Sequence, residues 1–201
     1  GINSPTPIQK ESIGFIKSGK DVIAEAQTGT GKTLAFLLPI FENINPNANY
    51  VQALILSPTR ELAIQIEESF AEYSKYLDIK DTVIFGGVNQ SSQVRKIKAG
   101  IDILVATPGR LLDLANQKHV DLKNVKYFVL DEADRMLDMG MIHDVKKIIS
   151  RLPKERQNLL FSATMPKEVM KLLNSILNNP VKVEVQPVSS TVEIISQGVY
   201  H

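Results

Sequence analysis

At 201 residues, 43% of them hydrophobic, the chain can enclose one sizeable core and does not fall in the disordered class. No apolar run is long enough to span a bilayer and no basic-then-apolar leader opens the chain, so neither a membrane segment nor a secretory signal is expected. With no Cys, disulfides and thiolate metal sites are excluded, and a reducing, cytoplasmic setting is expected. The net charge of +1 does not by itself announce nucleic acid, so any such surface must be local; the three histidines, His119, His143 and His201, have no ligand spacing. The first residue is Gly1 rather than Met, which reads as a trimmed chain.

In chain order, Pro5 and Pro7 precede Lys10–Ile16, whose apolar residues fall at helical spacing, so a helix is predicted to start near Thr6. Asp21–Glu25 reads as a short strand, Ala26–Thr33 as a Gly/Thr loop, and Leu34–Leu38 as the apolar part of a helix. Asn45–Asn49 is a surface turn. Strand-like apolar runs recur at Ala53–Leu56, Thr82–Phe85, Ile103–Ala106, Tyr127–Leu130 and Asn158–Phe161, separated by helical patterns that include Glu61–Tyr76, Gln90–Ala99 and Pro166–Leu177. After Val181–Val185 the composition shifts to Gln186–Thr191, a predicted linker, and Val192–His201 reads as the start of a strand without a partner. Alternating strands and helices predict an α/β domain, a mostly parallel β-sheet sandwiched between α-helices. Strands apolar on both sides fit burial on both faces.

Ligands of such sheets gather at the carboxyl ends of the strands, and polar clusters fall there after all six runs. The first is a phosphate cradle, Ala26-Gln27-Thr28-Gly29-Thr30-Gly31-Lys32-Thr33, between strand and helix. Gly29 and Gly31 let backbone N–H groups turn on an anion, the helix N-terminus adds positive potential, Lys32 reaches outer phosphates, and Thr33 offers a hydroxyl to Mg²⁺. Ala26 stands where the general pattern has its first glycine. A triphosphate so held also needs a metal carboxylate and a group that orients water, and Asp131-Glu132 can supply both: Asp131 on the metal, Glu132 on the water. Taken alone, Asp131 would read as a helix N-cap, with Asp134 favouring the helix dipole.

Asp131-Glu132-Ala133-Asp134, joined to AQTGTGKT, PTREL, GG, TPGR, SAT and an upstream PTPIQ in that family's order, resembles the first RecA-like domain of the DEAD-box RNA helicases from Pro5 to about Val185. The run Asp131–Gly140 followed by Ile142-His143-Asp144 resembles the bacterial RhlE-type branch. The resemblance implies ATP and Mg²⁺ as cofactors, catalytic roles for Lys32, Asp131 and Glu132, and adenine recognition by Gln9 in a Q motif at residues 5–9. The aromatic that packs on the base in this family would lie before Gly1. It also implies sequence-independent RNA-backbone contacts from Thr59, Arg60, Gly86, Gly87, Thr107, Gly109 and Arg110, and coupling of nucleotide state to RNA through Asp134, Ser162 and Thr164. Read singly, the two arginines could serve only surface ion pairs, and Ser162 or Thr164 a helix cap. With no Trp, and most Phe and Tyr in apolar periodic positions, no base-stacking platform is evident.

The family's arginine finger, worth roughly 10³ to 10⁵ in rate, has no counterpart in the chain. By the same resemblance it comes from a second RecA-like domain. Residues 1–185 are therefore expected to form the nucleotide-binding domain, and 186–201 the linker and start of the missing one. The fragment, a monomer, should bind nucleotide weakly and hydrolyse it negligibly. Two other readings are a DNA-directed translocase and an ATP-gated RNA clamp or scaffold with little turnover.

Overall fold

The computed structural model describes residues 4–46 and 48–185. Its elements are α1 (Pro7–Lys17), β1 (Val22–Glu25), α2 (Lys32–Asn43), β2 (Ala53–Leu56), α3 (Arg60–Tyr73), β3 (Asp81–Ile84), α4 (Ser91–Lys98), β4 (Ile103–Ala106), α5 (Pro108–Asn116), β5 (Tyr127–Asp131), α6 (Ala133–Asp138), α7 (Ile142–Ile149), β6 (Gln157–Ser162), α8 (Lys167–Asn174) and β7 (Val181–Glu184). The strands form one seven-stranded sheet in the order β3-β4-β2-β5-β6-β1-β7, and every pairing is parallel. All six sequence-predicted strands are present. β7 is the addition: it is an edge strand in which only Val183 is buried, so Lys182 and Glu184 dilute the apolar run that marks the inner strands. The linker and strand expected at 186–201 lie outside the described residues.

Alternation along the strands divides the core in two. Leu54, Leu56, Leu104, Phe128, Leu130 and Leu160 pack with α4 to α8 on one face, while Ala53, Ile55, Ile103, Val105, Val129 and Phe161 pack with α1 to α3 on the other. Each of the larger side chains taken fully out of water contributes about 1.5–3 kcal/mol, so the parallel sheet is held from both sides. Phe36 of α2 lies against Phe161 of β6, ring centroids 5.2 Å apart. This contact seats α2 on the sheet and so fixes where its N-terminus, with the glycine-rich loop, must lie.

At the amino ends of the strands, buried carboxylates tie loops together. Asp21 accepts hydrogen bonds from the Asn158 N–H at 2.7 Å, the Asn158 amide at 3.1 Å and the Asn178 N–H at 2.9 Å, joining β1, β6 and the turn before β7. Asp21→Ala leaves these donors unpaired in a site that is 6% exposed. The expected loss is about 3 kcal/mol, which lowers the melting temperature by roughly 6–12 °C in a thermal unfolding experiment.

Asp81, at the start of edge strand β3, behaves in the opposite sense. Burial, with Glu67 close by and Lys96 opposing, pushes its carboxyl up to about 6, and Oδ2 has no hydrogen-bond partner. Between its unfolded value of 3.8 and about 6 the folded state binds the extra proton, so stability falls as pH rises through that window. Asp81→Asn should therefore stabilise the domain at pH 7 by about 1 kcal/mol after allowance for solvent screening, with the gain fading as pH falls to about 4. Melting curves of both proteins across that range test it; a gain that is constant with pH would remove the electrostatic cause.

Candidate nucleotide and nucleic-acid site

The strand order splits the carboxyl edge of the sheet into two halves. β5, β6 and β1 are neighbours, and from their ends come Asp131-Glu132, Ser162-Ala163-Thr164 and the glycine-rich loop. β3, β4 and β2 form the other half and lead into Gly86-Gly87, Thr107–Arg110 and Thr59-Arg60. The two sets are interleaved in sequence and sorted in space by the sheet.

In the first half, the Ala26 N–H donates to the Ser162 carbonyl, which continues the ladder one residue past β1, and Ala26 is buried. Ala therefore serves where the pattern has glycine, because its methyl group enters the core cluster under α2. The chain then leaves the sheet as an exposed turn at Gln27 and Thr28, closed by the Thr30 hydroxyl donating to the Gln27 carbonyl at 2.6 Å. Gly29 and Gly31 take left-handed backbone angles, φ +83° and +90°. Lys32 and Thr33 open α2, where free N–H groups and the helix dipole favour an anion.

Lys32 Nζ lies 3.9 Å from Asp131 Oδ1, and both side chains are almost fully buried. Neither atom has a hydrogen-bond partner. Burial pushes the Asp131 carboxyl up to about 6; Lys32 opposes the shift and Glu132 adds to it. A buried ammonium and a buried carboxylate oxygen 3.9 Å apart, neither hydrogen-bonded, suit an anion at the first and a cation at the second. The cavity they face, of about 380 Å³, is also bounded by Gly29, Gly31, Thr33 and Glu132. Its donor set fits phosphate oxygens and a hard, oxygen-liganded metal.

Glu132 sits at φ 54°, ψ 52°, a left-handed conformation rare for a residue with a side chain, at the start of α6. Its N–H donates to the Phe161 carbonyl. The carboxylate reaches across to the loop, Oε1 accepting from the Thr28 hydroxyl at 3.1 Å while Oε2 lies 3.4 Å from the Arg135 guanidinium. Glu132 holds the cap position of α6, while Asp131 is the last residue of β5; the N-cap alternative for Asp131 is thereby removed. Asp134 is held by the strand beyond: its Oδ2 accepts from the Thr164 N–H and hydroxyl at 2.9 and 2.8 Å, and its own N–H donates to Ser162 Oγ. Partial burial raises the Asp134 carboxyl, and the hydrogen bonds it accepts outweigh this and leave it below its ordinary value.

Gln9 is buried, with both ends of its carboxamide in use: Oε1 accepts from the Thr6 N–H at 3.0 Å and Nε2 donates to the Gly31 carbonyl at 3.1 Å. The amide joins α1 to the phosphate loop. A carboxamide has a second lone pair and a second N–H, so an adenine edge can still be met without breaking either bond.

In the second half, Thr59 caps α3 by accepting from the Leu62 N–H, and the Arg60 guanidinium stacks over the Phe85 ring, 4.7 Å from its centroid. Gly86 and Gly87 are exposed, and Thr107 precedes α5 with Gly109 and Arg110 in its first turn. Arg110 donates to the Val88 carbonyl at 2.9 Å and to the Gln93 side chain at 3.3 Å, and Gln93 donates in turn to the Phe85 carbonyl. The two loops are thus stapled together by Arg110 and Gln93.

Residues 6–172 match the family model described as DEAD/DEAH box helicase. The chain belongs to that family. Its relatives include RNA helicase CrhR of Synechocystis, 45% identical over 201 residues, which are all of this chain and 41% of that protein. CshA of Bacillus subtilis, a DEAD-box ATP-dependent RNA helicase, is 45% identical over 98% of this chain and 40% of its own. Among solved structures, the DEAD box protein of Methanococcus jannaschii superposes with a TM-score of 0.87 at 42% identity, over 90% of this chain and 50% of that one. A hypothetical ATP-dependent RNA helicase of Sulfolobus tokodaii gives 0.86 at 35% identity, over 92% and 54%. The chain thus spans about two fifths of the length of these curated relatives.

Within this DEAD-box domain, three contacts have no sequence forecast: Thr28 with Glu132, Arg135 with Glu132, and Gln93 with Arg110. The i,i+3 spacing of Glu132 and Arg135 is a signal that could have indicated the second. Gln93 carries none, because an isolated Gln early in a polar helix is indistinguishable from a solvated one.

Proposed function

We propose that this chain is the nucleotide-binding, N-terminal half, residues 1–185, of an ATP-dependent RNA helicase, with 186–201 leading to a second RecA-like domain. The observation that carries the reading is the buried pair Lys32 Nζ and Asp131 Oδ1, 3.9 Å apart yet each atom without a hydrogen-bond partner, at the mouth of a glycine-rich loop. Its setting in a DEAD-box chain that spans two fifths of relatives named as RNA helicases supports the rest.

On this reading, the bound ATP supplies the phosphoanhydride bond whose hydrolysis drives the cycle, and the chain's own groups position it. Lys32 and the loop N–H groups neutralise phosphate oxygens, with Ala26 to Thr33 as the cradle. Thr33 and Asp131 would hold Mg²⁺, whose charge would favour the ionised form of the buried Asp131 carboxyl. Glu132 takes the proton of the attacking water through a lone pair that Thr28 and Arg135 leave free. Gln9 reads the adenine edge while reporting to Gly31. Thr59, Arg60, Gly86, Gly87, Thr107, Gly109 and Arg110 hold the RNA backbone. Asp134, Ser162 and Thr164 form a hydrogen-bonded link by which the nucleotide half is felt beyond β6. The protein works in the cytoplasm, a placement to which the absence of Cys lends support. The isolated chain is a monomer on this proposal.

The test is phosphate release from ATP with matched single-stranded RNA or DNA, comparing this chain with the full-length protein. The expected result is turnover that is stimulated by RNA over DNA and confined to the full-length protein. Substantial turnover by the 201-residue chain alone would mean that it holds a complete catalytic site. Equal stimulation by DNA would move the substrate away from RNA.

A further inference from the structure

The staple between Arg110 and Val88 is one of two along the same strap. Two residues on, Gln90 and Gln117 exchange reciprocal side-chain hydrogen bonds at 2.8 and 3.2 Å, so the stretch following Gly86-Gly87 is fastened at both ends of α5. Where this strap ends, a basic face begins. One cavity of about 340 Å³ is lined by Arg95 and Lys98 of α4 and by His119. A second, of about 350 Å³, is lined by Lys118, Lys123 and by Arg151 just past α7. Lys118 and His119 are consecutive, so the two cavities share a rim.

Arg95, Lys98, Lys118 and Arg151 are exposed, and among the described residues none lies within 4.0 Å of a carboxylate. Of the carboxylates along this face, Asp121 is paired with Lys123 at 3.0 Å and Asp113 accepts from Gln117. Lys118 is also held at φ 62°. Its N–H donates to the Ala115 carbonyl and the His119 N–H to the Leu114 carbonyl, the helix ending whose left-handed residue is best served by glycine. The fold therefore carries a long cation at a position where local stability favours no side chain at all.

We infer that the face formed by α4, the end of α5 and the end of α7 is a second phosphate-backbone surface, carrying an RNA strand onward from the Gly86-Gly87 and Thr107–Arg110 loops. The inference rests on the RNA reading given above and extends it to a longer contact. Four exposed cations, with His119 the one ring among the described residues lining its two cavities, make it a predominantly sequence-independent track.

The test measures binding by the full-length protein, as a function of salt, of a strand of about 5 nucleotides and one of about 20. Changing Arg95, Lys98, Lys118 and Arg151 together to Gln should leave the short strand unaffected. For the long strand it should reduce the slope of log K against log salt by roughly 2–3 and weaken binding at least tenfold at low salt. Conversion of Arg95, Lys98 and Lys118 to the opposite cation (Lys to Arg, Arg to Lys), with Arg151 kept, should restore the slope. Lys118→Gly separates this role from a structural one: it should raise the melting temperature by about 2 °C while weakening the long strand. Equal effects on both strands, or none, would overturn the inference and leave a merely solvated face. Failure of the unaltered protein to bind either strand would instead overturn the RNA reading. If polyglutamate binds this face and long RNA does not, the partner is an acidic protein and the RNA track is wrong.

Discussion

Gly31→Ala is expected to lose more fold stability and more nucleotide binding than Gly29→Ala, two residues earlier, whose loss is confined to the backbone penalty. Both glycines have positive φ, so each substitution incurs the left-handed penalty of about 1–2 kcal/mol. They differ in surroundings. A Cβ on Gly29 meets nothing within 4 Å, whereas one on Gly31 would stand 2.7 Å from Gln9 Nε2 and 2.8 Å from Thr6 Oγ1. These neighbours are not the free ends of flexible chains: Gln9 is buried and bonded at both ends, and Thr6 is the N-cap residue of α1. The loop must therefore shift or α1 must move, breaking the Gln9 bond to the Gly31 carbonyl. Total destabilisation for Gly31→Ala should reach about 3 kcal/mol, a fall of roughly 6–12 °C in melting temperature, with at least about a hundredfold loss of ATP affinity. Thermal unfolding and nucleotide titration on the two variants provide the comparison. If they behave alike, the contact between Gln9 and the loop is incidental.

Glu132→Gln should separate binding from chemistry. The new carboxamide oxygen can still accept from Thr28, so the bridge between the loop and the end of β5 survives, and only the 3.4 Å ion pair to half-exposed Arg135 is lost. That pair is worth at most about 1 kcal/mol. What disappears is the ability to accept a proton from water, so RNA-stimulated turnover in the full-length protein should fall by about 10² to 10⁴ with ATP affinity changed by only a few fold. Steady-state hydrolysis beside a direct binding measurement decides it. A matching loss of ATP affinity would make Glu132 a pillar of the loop rather than the base.

These outcomes also show which parts of the molecule a linear reading reaches. The glycine-rich loop and the Asp131–Asp134 quartet are contiguous, and their chemistry follows from residue types at fixed spacing on a strand-to-helix turn. The doubly apolar strands announce a sheet covered on both faces, and it is. Edge strand β7 has no continuous apolar run, and its signal is instead the strict alternation Val181-Lys182-Val183-Glu184-Val185. Helix α6 did not announce itself, because its six residues are too few to establish a period. The bond from Thr28 to Glu132 spans 104 residues and depends on β1 and β5 flanking β6, an order that no local pattern encodes. Gln9 illustrates the intermediate case: its place in PTPIQ singled it out, but its grip on the Gly31 carbonyl needed the packing of α1 against α2.

The two borders of the sheet bear on how this domain behaves at high concentration. A parallel sheet ends in strands whose outer N–H and C=O groups could template another chain, and apolar borders invite fibrils. Here β7 presents Lys182 and Glu184 outward, with Lys182 paired to both Glu184 and Glu25, and β3 begins at Asp81, whose carboxylate keeps one oxygen buried and unpaired. A second copy docking along the β7 border would have to strip water from Lys182 and Glu184, and one docking along β3 would bury the Asp81 carboxylate further. These residues thus act as gatekeepers against aggregation, Asp81 at some cost in stability, and a variant freed of them, Asp81→Asn together with Lys182→Val and Glu184→Val, should show poorer colloidal behaviour.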